Sequence, residues 1–359
     1  MNAVAAALRA ARVAAIYLVH GTFLGPDALG VLTDLSRFAP GWADVLRRWN
    51  KQIVDALTGD IANFTRQYAD TLQQALDPAG DDPIPVRLCH WSSENHHIGR
   101  ADGAVRLIHD IADQRFPTGS RVLLCGHSHG GNVFALMTNL LGGELAAREE
   151  FFERARCYYR RPWRRSVDLP EWEFVRSLVC ERERPFPDLS LDFVTLGTPI
   201  RYGWDSDGYA KLMHIVNHRP AAGLAEHQAP FPPASDDIMY AAHGDFIQQI
   251  GVAGTNFAPP LWAWRTWLAD VRLGIMLQRD CRSAELYRRW QMGMRAHDEG
   301  ENVFVDYGPS SAYVAKHVFG HAVYTRLEWQ LFHAELIAQR FYGLVKADNP
   351  VACRTERRP

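Results

Sequence analysis

Gly126-His127-Ser128-His129-Gly130 lies between the apolar run Val122-Leu123-Leu124-Cys125 and a helix-like stretch over 131–137. A G-x-S-x-G pattern between a strand and a helix is typical of a sharp turn that presents its serine above a sheet. Glycines on both sides allow the strained turn to pack closely against neighbouring strands. The pattern makes Ser128 a candidate nucleophile; the alternative is an ordinary serine in a glycine-rich turn.

Short apolar runs rich in β-branched residues recur along the chain, as expected for buried parallel strands. They cover 15–19, 86–90, 122–125, 191–196, 212–217 and 302–306. Helical periodicity is clearest over 102–114 and 324–341. Alternating strands and helices predict an α/β fold with a mainly parallel sheet that helices cover on both faces.

The 359 residues are enough for one large α/β domain with insertions or for two modest domains. We predict a single domain over 1–359, without internal repeats. Three stretches are longer than simple connections between strands and helices need, namely 24–82, 142–187 and 254–299. We expect helical insertions there, which could form a cap or lid.

Composition excludes some classes of partner. A net charge of -2 gives no general attraction for nucleic acid, so no such partner is expected. Six scattered cysteines form no C-x-x-C pair, which favours reduced thiols. No apolar run could span a bilayer, and cleaving a signal peptide near the N-terminus would destroy the first predicted strand. We expect a cytoplasmic protein; export without a cleaved signal stays open, as does the oligomeric state.

A serine nucleophile needs a nearby base, usually a histidine that a carboxylate orients. Where the three residues occur along the chain in the order serine, acid, histidine, the histidine is expected after the last strand. His321 is preferred because Gly320 before it fits a tight loop ahead of the predicted C-terminal helix. His317 is the alternative, and a buried structural histidine is the third interpretation. His333 falls inside that helix and is interpreted as a packing or surface residue.

The acid should follow the strand over 212–217 and precede His321. The candidates are Asp236, Asp237, Asp245 and Asp306. Asp245 is preferred because a glycine precedes it and apolar neighbours could hold its loop against the core. Asp306 ends the last strand and could reach the same histidine from another loop. Either could instead be a turn aspartate that bonds to its own backbone.

A tetrahedral intermediate needs hydrogen-bond donors aimed at its oxyanion. The backbone N–H of His129, the residue after Ser128, is one candidate. The loop after the first strand, Leu18-Val19-His20-Gly21-Thr22-Phe23, offers the second. Its small residues would let the backbone approach a substrate, with the N–H of Thr22 as donor.

These motifs resemble the α/β-hydrolase superfamily, and within it the bacterial triacylglycerol lipases and related esterases. The resemblance rests on Val19-His20-Gly21, on Gly126-His127-Ser128-His129-Gly130-Gly131 and on Thr195-Leu196-Gly197-Thr198-Pro199. It implies lipid metabolism, a carboxylic ester substrate, Ser128 as nucleophile and Thr22 as oxyanion donor, and it requires no cofactor. The large insertions and the long gap before Asp245 depart from the family pattern.

Other functions could use the same machinery. It could cleave a phospholipid acyl ester or a thioester, or transfer an acyl group to an alcohol. An interaction protein that binds a partner on a catalytically silent hydrolase scaffold is the alternative from another class.

A tryptophan-rich segment over 261–277 has two interpretations. Its apolar residues recur at helical spacing: Leu261, Trp264, Leu268, Val271 and Ile275. The segment could be a lid over a lipid-binding pocket, in contact with a lipid or membrane interface. It could instead be an insertion helix that buries its tryptophans against the domain.

Two polar segments also have alternatives. The arginine-rich stretch 160–165 could attract anionic lipid headgroups or a partner, but nearby glutamates favour an internally paired surface. His90, His96 and His97 could suggest a metal. Their spacing lacks a recognised ligand pattern, so no metal site is expected.

Overall fold

A computed structural model describes residues 1–22, 27, 49, 59, 61–77, 83–161, 166–252, 256–259, 262–278, 283–293, 295–308, 314–345 and 353–356. Of the predicted insertion at 24–82, mainly residues 61–77 belong to this set. Residues 162–165 of the arginine-rich stretch and Leu261 lie outside the described residues.

A single sheet forms the centre of the described residues. Its strands are β1 (Val13–Val19), β2 (Val86–Cys89), β3 (Ser120–His127), β4 (Leu189–Leu196), β5 (Lys211–Asn217), β6 (Glu301–Val305) and β7 (Cys353–Glu356). Their order is β2-β1-β3-β4-β5-β6-β7, with β1 to β6 parallel and β7 antiparallel to β6. All six predicted strands are confirmed, and β7 has no counterpart among them.

Helices connect the strands. They are α1 (Asn2–Ala10), α2 (Arg66–Leu76), α3 (His97–Asp113), α4 (His129–Gly142), α5 (Leu145–Tyr159), α6 (Pro170–Glu181), α7 (Ser235–Met239), α8 (Phe246–Val252), α9 (Trp264–Leu277), α10 (Ser283–Gln291), α11 (Val314–His317) and α12 (Leu327–Tyr342). Helix α3 begins earlier than the predicted 102–114 because His96 caps it, with Nδ1 accepting the N–H of Gly99 at 3.0 Å. Helix α12 begins later than predicted because Val323–Thr325 form a 3-10 turn.

The sheet is covered on both faces, as predicted. Along β1, Tyr17 and Val19 belong to one apolar cluster, and Ile16 and Leu18 belong to the other, because successive side chains of a strand point to opposite faces. Residues of α3, α4, α5 and α6 complete the first cluster. Residues of α1, α2 and α12 complete the second. The α/β fold is thereby confirmed.

The sheet topology locates a crevice. Strand β1 lies between β2 and β3, so the order of strands reverses at β1. In open α/β sheets, ligands bind outside the carboxyl ends of the strands at such a reversal. Strand β1 ends at Val19, just before Gly21, and β3 ends at His127, just before Ser128. The loop after β1 and the loop after β3 therefore meet at the edge of the sheet where this topology favours a ligand-binding site.

Helix α9 corrects one interpretation of the tryptophan-rich segment. It packs against α5 and α3 through small residues, among them Ala269 and Gly274. Trp262 is 73% exposed, Trp264 46% and Ile275 61%. The interpretation that this helix buries its tryptophans is wrong. Leu273 and the small residues face the domain, whereas the tryptophans, Val271 and Ile275 are exposed. Within the described part of the chain, no helix is both long and apolar enough to cross a bilayer.

The described arginines of the stretch 160–165 are paired. Arg160 Nε donates to Glu173 at 2.8 Å, and Arg161 Nε donates to Asp168 at 2.9 Å. Asp168 also accepts a hydrogen bond from Arg265 on α9 at 2.7 Å. For these residues, the internally paired surface is the correct interpretation.

Candidate active site

Ser128 forms the turn between β3 and α4. Its φ of 53° and ψ of -131° lie in a region that residues with a side chain rarely adopt. Its N–H donates to the carbonyl of Leu196 at 2.9 Å, and its carbonyl accepts from Thr198 Oγ1 at 2.7 Å. The end of β4 and the loop after it therefore hold the strained turn through both of its peptide groups.

Gly21, after β1, lies directly against the side chain of Ser128. A Cβ atom at Gly21 would stand 2.7 Å from Ser128 Cβ and 3.2 Å from Ser128 Oγ. No side chain fits at that distance without moving the serine. The small residue lets the loop after β1 share the edge of the sheet with the turn at Ser128.

Asp245 and His321 form a buried hydrogen-bonded pair. His321 Nδ1 lies 2.7 Å from Asp245 Oδ2. Asp245 follows β5 and is anchored to it, because its N–H donates to the carbonyl of Asn217 at 2.9 Å. The glycines before them, Gly244 and Gly320, have φ values of +91° and +85°, which explains why glycine precedes each partner.

Two further donors hold the carboxylate of Asp245. Tyr324 Oη donates to Oδ2 at 3.0 Å, and the N–H of Gln248 donates to Oδ1 at 2.8 Å. Tyr324 Oη in turn accepts the N–H of Asn217 at 2.8 Å. These hydrogen bonds hold the carboxylate in one orientation, in which Oδ2 faces His321.

The surroundings of Asp245 favour its ionised form. Burial alone would raise the pKa of this carboxyl, but His321, the N–H of Gln248 and the nearby guanidinium of Arg295 together lower the pKa below its ordinary value. Arg295 is fully buried and donates to the carbonyls of Asn217 and His243, on either side of the loop that leads to Asp245. It both attracts the carboxylate and braces its loop.

His321 lies next to the residue that precedes Ser128. His127 Nε2 donates to the carbonyl of His321 at 3.1 Å, and the two rings lie 4.5 Å apart. Burial lowers the pKa of His127 to about 3, so its ring is a neutral donor. His321 Nε2 is buried and makes no hydrogen bond within the described residues. This nitrogen is available as a base beside the turn at Ser128.

The two predicted oxyanion donors lie in the loops that meet here. His20 Nδ1 donates to the carbonyl of Gly21 at 2.9 Å. Because the C=O and N–H of a trans peptide point in opposite directions, this bond fixes the direction of the Thr22 N–H. His129 is the first residue of α4, where backbone N–H groups have no partner within the helix.

The alternative acids and bases have other partners. Asp306 forms two hydrogen bonds with Arg219, of 3.1 and 2.7 Å. His317 Nδ1 accepts the N–H of Gly320 at 3.2 Å. Asp236 is exposed, and Asp237 lies 4.0 Å from His243. His333 is buried in α12 and lies 2.6 Å from Tyr307 Oη, which places it among packing residues.

The three histidines considered as metal ligands have separate contacts. His96 Nε2 lies 3.1 Å from Glu94, His97 Nδ1 lies 2.8 Å from Tyr202 Oη, and the ring of His90 lies 5.8 Å from that of His20. Among the residues that the structure describes, no group of three or more His, Cys, Asp or Glu side chains could hold a metal ion.

No family model, curated protein or solved structure matches this chain.

Tyr324 and Arg295 belong to this site but are not among the residues that the sequence predicts for it. Tyr324 carries a weak signal, since it follows His321 by three residues and could reach the same partner. Arg295 carries none. Its contacts with Asn217 and His243 bring together segments that lie 78 and 52 residues apart.

Proposed function

We propose that this protein is a serine hydrolase that cleaves carboxylic esters. The observation that carries the proposal is the buried pair of Asp245 and His321, which are 76 residues apart in the chain and bond at 2.7 Å beside the strained turn at Ser128. A nucleophile, a base and an acid that orients the base are the three groups that serine catalysis needs.

Each residue has a definite role in this reaction. Asp245 holds the proton of His321 on Nδ1, which leaves Nε2 as the base. Ser128 Oγ attacks the ester carbonyl carbon, and its proton passes to Nε2. When the tetrahedral intermediate collapses, the alcohol leaves with that proton. Water then attacks the acyl-enzyme by the same route and releases the acid. The bond between Ser128 and His321 Nε2 would form with substrate bound, as catalytic hydrogen bonds often do.

Backbone donors would stabilise the intermediate. The N–H groups of Thr22 and His129 come from the two loops that meet at Ser128, and they require no charged side chain or cofactor. His20 orients the first through the carbonyl of Gly21, and the start of α4 orients the second. Two backbone donors that converge on one oxygen would favour acyl transfer over other serine chemistry.

The exposed face of α9 supports an acyl or lipid ester as substrate. Trp262, Trp264, Trp267, Val271 and Ile275 are all exposed on or just before this helix. Tryptophan and aliphatic side chains on one face of a surface helix are typical of contact with a lipid interface. Phospholipid acyl esters, thioesters and acyl transfer to an alcohol remain candidates on the same machinery. The non-enzymatic alternative is a catalytically silent scaffold that binds a partner.

The test is labelling with a serine-reactive fluorophosphonate, followed by hydrolysis of p-nitrophenyl esters of increasing chain length. We expect Ser128→Ala to abolish both, and His321→Ala to reduce turnover severely. Ser120→Ala is the matched control, because Ser120 is a buried serine at the other end of the same strand. Folded wild-type protein that neither labels nor turns over, with or without detergent, would contradict the proposal and favour the partner-binding scaffold.

A further inference from the structure

A buried arginine lies close to the candidate active site without a carboxylate in contact. Arg100, on the first turn of α3, is fully buried. Its Nε donates to Tyr202 Oη at 2.9 Å, its Nη1 donates to Asn95 Oδ1 at 2.9 Å and its Nη2 donates to Asn256 Oδ1. All three acceptors are neutral. Removing a guanidinium from water is costly unless an anion or a full set of acceptors replaces the water.

The hydrogen bonds around Arg100 leave an excess of donors. A guanidinium has five N–H groups, and three of them have acceptors among the described residues. Since Asn256 Oδ1 accepts from Arg100, its Nδ2 must be the donor to His97 Nε2, which lies 2.6 Å away. His97 therefore carries its proton on Nδ1 and donates to Tyr202 Oη at 2.8 Å.

Tyr202 Oη consequently accepts two hydrogen bonds, from Arg100 and from His97. Its own O–H proton has no acceptor among the described residues. A neutral His97 fits this assignment, because burial and then the nearby Arg100 and Arg201 lower the pKa of its ring. The cluster holds the fixed positive charge of Arg100 and donors without acceptors among the described residues, and no described carboxylate is in contact with that guanidinium.

Asp270 is the neighbouring acid. Burial raises the pKa of its carboxyl, and the charge of Arg100 acts against that rise, but the two groups do not form an ion pair. Asp270 of α9 accepts the N–H of Ile98 at 3.0 Å and lies 3.7 Å from His96 Nδ1. These bonds hold its carboxylate at the start of α3. The structure gives no ion pair between Asp270 and Arg100 among the described residues.

The cluster lies within reach of Ser128. Thr198, which holds the carbonyl of Ser128, precedes Tyr202 in the same loop, so the chain between them spans at most roughly 14 Å. Burial, followed by the charges of Arg100 and Arg201, lowers the pKa of His129 well below its ordinary value. A cavity of about 560 Å³ opens beside the loop. Arg100 lies behind its lining, which includes Tyr202, three arginines and five carboxylates: Arg148, Arg201, Arg289, Glu144, Asp205, Glu285, Asp298 and Glu299.

We propose that Arg100 and Tyr202 bind the oxyanion group, a phosphate or a carboxylate, of an anionic ester substrate. Both groups match the planar fork of a guanidinium and accept an O–H from tyrosine. Asn256 Oδ1 occupies one of the positions that a ligand oxygen would take. The reaction of such a substrate rests on the proposed hydrolase function, but the binding step does not.

Binding is tested first, on Ser128→Ala protein, by calorimetric titration with inorganic phosphate, with succinate and with neutral glycerol. We expect saturable binding of an anion and none of glycerol; the stronger of phosphate and succinate identifies the class of oxyanion. Arg100→Gln should weaken that binding by at least about tenfold and Tyr202→Phe by about threefold to tenfold. Arg106→Gln is the control, because Arg106 lies on the same helix and pairs with Asp102 at 2.7 Å.

Specificity is tested next with wild-type enzyme on p-nitrophenyl butyrate and on its anionic analogue, mono-p-nitrophenyl succinate. Arg100→Gln should lower kcat/KM for the anionic ester by at least about tenfold more than for the neutral ester. If Arg100→Gln does not fold, Arg100→Lys, which keeps the charge and loses the fork, should give a smaller decrease in the same ratio.

The outcomes separate the two proposals. Fluorophosphonate labelling of Ser128, together with absence of anion binding to folded protein, would overturn this inference and leave the hydrolase intact. Anion binding that Arg100→Gln abolishes, in a protein that never labels, would support the oxyanion site and contradict the hydrolase. Binding that is equal in the Arg100→Gln and Arg106→Gln variants would also overturn it.

Discussion

Tyr324 donates its hydroxyl proton to Asp245 Oδ2 at 3.0 Å, and the same oxygen lies 2.7 Å from His321 Nδ1. Tyr324 Oη also accepts the backbone N–H of Asn217 at the end of β5. The hydroxyl therefore ties the carboxylate to the sheet. It acts on the reaction through Asp245 and is a positioning group.

Removing this hydroxyl should weaken catalysis without removing it. We expect Tyr324→Phe to lower kcat/KM by about tenfold, because a hydrogen bond to a charged group contributes about 1.5 kcal/mol. Asp245 also loses a donor to its ionised form, so the acid limb of the pH–rate profile should move to higher pH. Tyr342→Phe is the control, since Tyr342 Oη donates to another carboxylate, Asp192, at 2.9 Å. Equal effects of the two variants on the pH profile would assign Tyr324 a purely structural role.

The two acids considered for the triad predict different results. Asp245→Asn should lower kcat by about 10³- to 10⁴-fold, because His321 would lose the acceptor that fixes its proton on Nδ1. Asp306→Asn should leave kcat unchanged and lower the free energy of unfolding by about 1 kcal/mol or less, since its pair with Arg219 is partly exposed. For both variants, ester hydrolysis gives kcat and urea unfolding gives the free energy of unfolding. The reverse pattern would move the acid to Asp306.

A methyl group at Gly21 should disturb the nucleophile. Its Cβ would stand 2.7 Å from Ser128 Cβ, so either the loop or the serine must shift. We expect Gly21→Ala to lower kcat/KM by about 10²-fold and to lower the free energy of unfolding by about 1–3 kcal/mol. Gly203→Ala is the control, because its nearest neighbour would be Glu299 Oε1 at 3.5 Å. Undiminished labelling and turnover of Gly21→Ala would show that the loop does not constrain Ser128.

Acid should destabilise the fold through its buried neutral histidines. Burial lowers the pKa of His127, His218 and His333 to about 3 and of His297 to about 4. Their folded pKa values lie below the unfolded value of about 6.5, so only the unfolded chain gains protons as the pH falls below that value. Stability is full above pH 6.5 and decreases toward pH 4.

Each such histidine should contribute about 1–2 kcal/mol of lost stability between pH 6.5 and pH 5. Urea unfolding at a series of pH values gives the slope. His333→Gln removes one titrating group. The change in the free energy of unfolding per pH unit should therefore decrease by about the amount that corresponds to one bound proton. A free energy of unfolding that does not change between pH 7 and pH 5 would contradict the assignment of neutral rings.

The exposed face of α9 should bind lipid. We expect the wild type to sediment with phosphatidylcholine vesicles, and Trp264→Ala combined with Ile275→Ala to weaken partitioning by about tenfold or more, because two large apolar side chains leave the interface. Leu331→Ala is the control; Leu331 is 45% exposed on α12, across the sheet. Vesicle binding that is equal in the double variant and the control would exclude this face as the contact.

Much of the fold could be predicted because buried parallel strands are continuous apolar runs. Strand β7, Cys353–Glu356, escaped because an edge strand with charged residues has no such run. The orientation of α9 also could not be predicted. Apolar periodicity shows that a helix has two faces, but α9 packs through Ala269, Leu273 and Gly274 and leaves its tryptophans exposed.

The candidate site likewise contains residues that the sequence predicts and residues that it does not. Ser128 is found from a local motif, and chain order narrows the partners to a few residues, among which the structure pairs Asp245 with His321. Tyr324 and Arg100 could not be found, because their roles arise from contacts between remote segments. Arg100 and Tyr202 are 102 residues apart, and no local pattern announces that they meet.

The backbone conformation of Ser128 sets the heat resistance of the protein against its proposed catalytic activity. At a φ of 53°, the side chain that would perform the reaction is also the source of strain in the turn. Glycine would relieve that strain and erase the nucleophile. Selection for a more heat-resistant form of this protein, without selection for activity, should therefore favour replacement at this position early.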